Sequence, residues 1–250
     1  MNTMSTSAID KVSRKASVKS TSEPAPDTIP PLESGDRLTR AEFELRYQAH
    51  PHIKKAELIE GVVYVPSPVS LKHAEIHGNV ITLLGVYRSS TPGIRLADNV
   101  TIRLDLDNEV QPDATMWIDE TWGGQSSETE DGYVAGAPEL VAEVAVSSAA
   151  YDLHDKLKVY RRSEVQEYLV VLVHEQKVLW YALEEGEYRP LMTGEGGILR
   201  SRVFPGLHFH PEMFWNGDLA GLLRVLQEGV KTPEHAEFAA RLEAVRAERS

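Results

Sequence analysis

The 250-residue chain has no cysteine. Disulfides and thiolate metal sites are therefore excluded, and the composition fits a reducing compartment, the cytoplasm by default. No apolar run approaches the roughly 18 residues that a membrane-crossing helix needs. The opening "MNTMSTSAIDKVSRKASVKS" is polar throughout and lacks the apolar core of a secretory signal. Positive charge is in deficit: 26 Lys and Arg stand against 38 Asp and Glu, a formal net charge of -12. That argues against non-specific nucleic-acid binding across the whole surface. It leaves room for a local basic site, because charges more than about 8 Å apart are largely screened at physiological salt. There is no internal repeat, and no Lys/Arg-rich block interleaved with aromatics.

What is present divides into three regions. Residues 1–34 are rich in Ser, Thr, Pro and Lys and are expected to form a disordered tail. Residues 35–215 carry the periodic signals of a folded domain, and 216–250 read as a charged helical extension. Thr39, with Glu42 three residues on, marks the start of a short helix over 39–47. "ELIEGVVYV" reads as a hairpin turning at Glu60-Gly61. Leu71, Ile76, Val80, Leu83, Leu84 and Tyr87 recur at helical spacing over 71–88. Strands are predicted over 94–104, 110–118 and 138–147, then a short helix through Leu153, Leu157 and Tyr160. Further strands follow at 167–173 and 177–183. A helix between two strands predicts a crossover, hence an α/β fold with a mixed sheet flanked by helices.

Glu143 interrupts the apolar strand "ELVAEVAV". A carboxylate there costs several kcal/mol unless it is paired or binds a metal. Pairing with Lys or Arg is the simpler solution. Asp113 stands mid-strand in the predicted preceding strand, beside Pro112. Two carboxylates at similar depth on neighbouring strands repel, and a divalent cation with hard oxygen ligands relieves that repulsion. Lys156 falls one turn into the following helix and borders its inward stripe. It could pair with Asp152 on the surface or reach the carboxylates. Two carboxylates, a metal and a lysine form a phosphodiester hydrolysis site.

In order along the chain, "ELIEGVVYVPSP", "KHAEIHGNVITLL", "QPDATMWI", "GYVAGAPELVAEVAVSS", "DLHDKLKVYRRSEVQEYLVV" and "VFPGL" resemble the Uma2 family, the DUF820 group. Its members are assigned as endonucleases of the PD-(D/E)XK, restriction-endonuclease-like fold. The resemblance runs from about Thr39 to Trp215. It implies that Pro112-Asp113 is the PD motif, that Glu143 is the second acid, and that the Val144 carbonyl is a further ligand of Mg²⁺ or Mn²⁺. The fold's usual lysine position holds Ala145. The resemblance places Lys156 in that role, as family members take a lysine from the next helix. Ser148 stands where the family usually has Pro. His73 and Glu57 match positions where the family shows those residue types, and Glu75 lies where related folds place an acid for a second metal. These three are candidate auxiliary residues. His77, one turn from His73, could form a zinc pair with it, but no third ligand is evident.

The leading expectation is thus a magnesium-dependent endonuclease acting on DNA, with Lys156, Lys158, Arg161 and Arg162 as the best basic patch. The alternatives are a non-catalytic binding or regulatory protein on the same scaffold, and a homodimer organised by the C-terminal helix. No membrane partner is expected.

Overall fold

The computed structural model describes residues 29–146 and 152–249. The expected tail therefore lies mostly outside the described residues. Its last part does not: the folded unit starts at Pro31. Leu32 is buried with Phe43, Leu58 and Val63, and the Ser34 hydroxyl accepts the Val65 amide at 2.9 Å. The domain thus begins before residue 35.

Local signals form the first elements. The Thr39 hydroxyl accepts the Glu42 amide at the start of α1 (Arg40–Ala49). β1 (Glu57–Ile59) and β2 (Val62–Tyr64) join at Glu60-Gly61, where φ is 50° and 72°. Two positive φ angles give the tight turn that suits strand twist, and Gly61 adopts it without a Cβ penalty. α2 (Leu71–Ser89) turns Val80, Leu83, Leu84 and Tyr87 inward.

The strands expected over 94–104 and 110–118 are each split. β3 (Ile94–Asp98) and β6 (Ala114–Ile118) pair in one sheet, whereas β4 (Ile102–Arg103) and β5 (Glu109–Val110) pair in another. Pro112 has no N–H for a ladder and sits in the gap between β5 and β6. Asp113 therefore stands at the junction of the two sheets, not in the middle of a strand.

Beyond β7 (Ser127–Glu128) and β8 (Val134–Ala135) comes β9 (Leu140–Ala145). A π-helical turn, Asp152–Lys156, leads into α3 (Leu157–Arg162) and then β10 (Glu167–Leu172). β11 (Lys177–Glu184), β12 (Glu187–Pro190), β13 (Leu199–Arg200) and β14 (His208–Phe209) follow. The chain closes with α4 (Pro211–Trp215), α5 (Leu219–Gly229) and α6 (Pro233–Glu248).

The larger sheet runs β12-β11-β10-β9-β6-β3. Only its β9–β10 pair is parallel, as a crossover through α3 requires. It is a mixed sheet. Leu140, Ala142 and Val144 pack on one face, with Leu83 and Leu84 of α2 and with Leu222, Leu226, Phe238 and Leu242 of the C-terminal helices. Each of these Leu, Val and Phe side chains contributes about 1.5–3 kcal/mol by burial. The segment after Pro233, part of the expected helical extension, contributes Phe238 and Leu242 to this core. Glycine makes the approach possible: a Cβ on Gly229 would meet the Gly206 carbonyl at 2.3 Å. On the other face Val141 and Ala145 pack with Val159, Tyr160 and Tyr168. Among the described residues no helix is long and apolar enough to cross a membrane.

Candidate active site

Strand alternation puts Glu143 on the same face as Val141 and Ala145, the face that α3 covers. It is 3% exposed. Lys156 Nζ lies 2.7 Å from Glu143 Oε1, and the Tyr160 hydroxyl donates to the same oxygen at 3.1 Å. Lys156 and Tyr160 are four residues apart, so one helical turn aims both at the strand. Lys156 is equally buried and also lies 3.0 Å from Glu57 Oε2. The other Glu57 oxygen accepts the Gln111 amide at 2.8 Å. Both readings of Glu143 thus involve one residue: its ion-pair partner is the lysine expected to serve the chemistry.

Asp113 arrives from the junction just before β6, the strand beside β9. Ala114 is registered opposite Ala142, so Asp113 stands one step further, opposite Glu143 and on the same face. Its Oδ2 accepts the Val144 amide at 2.8 Å and lies 3.1 Å from His73 Nε2. Its Oδ1 accepts from Lys55 Nζ at 3.4 Å. Burial pushes the Asp113 carboxyl pKa up. The His73 hydrogen bond, the Lys55 charge and the Val144 amide outweigh burial and hold it below the ordinary carboxylate range.

His77 Nε2 is 2.7 Å from the Asp113 carbonyl and 3.2 Å from Asp98 Oδ1. A carbonyl only accepts, so this nitrogen carries the proton. The His73 and His77 rings meet edge to face at 5.8 Å. Among the described residues the buried His73 Nδ1 has no hydrogen-bond partner.

Glu57, Asp113, Glu143, Lys156, His73 and Lys55 all line one cavity of about 1210 Å³. The structure does not bring Glu75 there. It is exposed and lies outside the cavity lining, because the face of α2 that meets Asp113 is the one bearing residues 73 and 77. Sequence reasoning missed Lys55 and Asp98, which sit in loops or at a strand end with no spacing signal. It read Tyr160 as an inward packing residue and missed its hydroxyl contact. Three carboxylates (Glu57, Asp113, Glu143) face two ammonium groups (Lys55, Lys156), leaving the group one positive charge short before any protonation of His73. Among the described residues no trio of His, Asp and Glu side chains is placed to hold a metal ion. A cation here would rest on two carboxylates, with its other ligands from backbone, water or substrate.

Glu167 shows that a buried carboxylate need not belong to a site. It receives Trp180 Nε1 at 3.1 Å, the Ser201 hydroxyl at 2.8 Å, and the amides of Arg202 at 2.6 Å and Val203 at 3.2 Å. It pins the loop before β14 to the sheet. Burial pushes its pKa up to about 7 from an unfolded value near 4.5. The native state then binds more protons than the unfolded state between those values. Its contribution to stability is fully present below pH 4.5 and is lost as pH rises to about 7. Glu109, also pushed up to about 7 by burial beside Glu44, acts in the same window. Glu167→Gln should therefore reduce, without abolishing, the fall in melting temperature from pH 4.5 to 7, followed by circular dichroism. An unchanged slope would contradict this account.

The sequence matches the family model Uma2, described as "Putative restriction endonuclease", over residues 40–212. Among solved structures it is similar to the crystal structure described as "a putative nuclease belonging to DUF820" from Anabaena variabilis ATCC 29413. The two share 15% identity with a TM-score of 0.51, over 64% of this chain and 89% of that one. At that identity the likeness shows the fold alone. A search of curated proteins finds no match.

Proposed function

The chain belongs to the Uma2 family, and on that premise we propose that it is a metal-dependent endonuclease hydrolysing phosphodiester bonds of DNA. The observation that carries this reading is the meeting of Asp113, Glu143 and Lys156, from three separate segments, in the lining of one cavity. The donor chemistry fits Mg²⁺ or Mn²⁺, which take hard oxygen ligands and are commonly held by one or two carboxylates plus waters and substrate phosphates. Asp113, Glu143 and the Val144 carbonyl would hold the ion. Bound there, it would polarise the phosphate and lower the pKa of a water.

The chain's own residues do the positioning. The Val144 amide and His73 fix the Asp113 carboxylate. Lys156 fixes Glu143 against Glu57 and would set a positive charge beside the place where negative charge develops on the phosphoryl oxygens. Glu57 and His73 are positioning residues, and Glu75 has no part. In the reaction a water oxygen bonds to phosphorus and gives up a proton, the bond from phosphorus to one sugar oxygen breaks, and that oxygen takes up a proton.

One observation favours the alternative, a catalytically inactive binding or regulatory protein: Lys156 already neutralises Glu143, so the fold does not need a metal. Calorimetric titration with Mn²⁺ separates the two readings. A nuclease should bind the ion, and Glu143→Gln should lose most of that binding. Its melting temperature should change little, because Lys156 keeps Glu57. If wild type binds no ion and cuts neither plasmid nor single-stranded DNA in Mg²⁺, the inactive reading stands.

A further inference from the structure

We propose that the cavity takes single-stranded DNA, its phosphates on cationic side chains and its unstacked bases on an apolar strap. This rests on the nuclease reading of the same site and specifies its substrate. The cavity, about 1210 Å³, exceeds the roughly 300–1,000 Å³ of ordinary small-molecule pockets. It therefore has room for more than a single small molecule.

Two separate segments give its lining opposite characters. The loop before β1 brings His52, Lys54 and Lys55. The linker from β2 to α2 brings Val65, Pro66 and Val69. Val69 is 67% exposed, an apolar side chain left mostly uncovered by the described residues. In a chain of net charge -12, the lining holds three lysines and three histidines against four carboxylates. Lys55 and Lys156 are paired with the lining's own carboxylates, which leaves the exposed His52 and Lys54 to meet phosphates. Beside bare apolar surface they match a strand whose backbone is anionic and whose base faces are open. A duplex hides those faces in its stack and offers only phosphates and groove edges.

Two further observations weigh against a duplex. Asp113 and Glu143 are 6% and 3% exposed, so the scissile phosphate must enter the cavity, which a flexible strand can do and a stiff duplex resists. Three of the four members of the basic patch expected beside the site, Lys156, Arg161 and Arg162, are also held in ion pairs. Arg161 pairs with Glu187, and Arg162 pairs with Glu60 at 2.9 Å. A duplex would find few free cations there to replace its counterions.

The test is fluorescence anisotropy of the wild-type chain with a labelled 12-mer of deoxythymidine and with a 12-base-pair duplex, in Ca²⁺ and in EDTA. The single strand should bind at least about tenfold tighter than the duplex. Val69→Asp, at an exposed position, should weaken single-strand binding about tenfold and leave the melting temperature unchanged. Equal or tighter duplex binding, no binding of either probe, or indifference to Val69→Asp would overturn the proposal. Tight single-strand binding without cleavage in Mg²⁺ would sink the nuclease reading and uphold this one. Preferential cleavage of duplex plasmid would do the reverse.

Discussion

Lys156→Ala is expected to lower stability by about 3–5 kcal/mol, the range found when one partner of a buried ion pair is removed. The ammonium lies 2.7 Å from Glu143 and 3.0 Å from Glu57, and all three side chains are nearly inaccessible to water. Without it, two carboxylates share one buried volume with no charge between them. For a domain of this size the melting temperature should fall by about 2–4 °C per kcal/mol. Adding Glu57→Gln should recover part of the loss, because only one buried anion then remains. The variant also reports on the metal. If Asp113 and Glu143 can hold Mn²⁺, the ion should raise the melting temperature of Lys156→Ala more than that of wild type, since it replaces the missing charge. Melting of Lys156→Ala within a degree of wild type would show that the two acids are not held by this lysine.

Asp113→Asn should abolish cleavage, by at least about a hundredfold to a thousandfold, while the fold persists. Asparagine keeps an oxygen for the Val144 amide and loses the negative charge that faces His73 and Lys55. Its stability signature sits in a different pH window from that of Glu167. The Asp113 carboxyl pKa is depressed in the folded state from an unfolded value near 3.8. Its contribution is therefore fully present above that value and is lost as pH falls through the folded pKa. The variant should be less stable than wild type at pH 5 and above, and the two should converge as pH drops below 4. Melting curves from pH 6 to 2 check this. A gap that stays constant over the range would mean that the charge of Asp113 does not couple to His73 and Lys55. Full cleavage by the variant would remove Asp113 from the chemistry.

The acids were legible because their positions break local rules. A Glu inside an all-apolar strand and an Asp after a proline stand out without any knowledge of neighbours. His73 and Glu57 entered through family resemblance. Lys55 was invisible: a lysine in a polar loop carries no pattern, and its partner lies 58 residues away. Glu75 looked like a candidate because it shares the first turns of α2 with His73. Only the rotation of that helix against Asp113 selects one face and leaves the other in solvent.

By itself the sequence determined α2, the hairpin at Glu60-Gly61, the buried strand around Glu143 and the crossover that makes the sheet mixed. Each follows from a short-range cause: helical or strand periodicity, positive φ at a turn, or a helix between two strands. Tertiary structure alone decided that the strands near Pro112 divide between two sheets, that α6 closes the chain's own core, and that Lys156 settles between Glu57 and Glu143. Which charges meet depends on sheet register and on the packing of one layer against another. These follow from the sum of many distant contacts, none of which is written in the residues beside the charge.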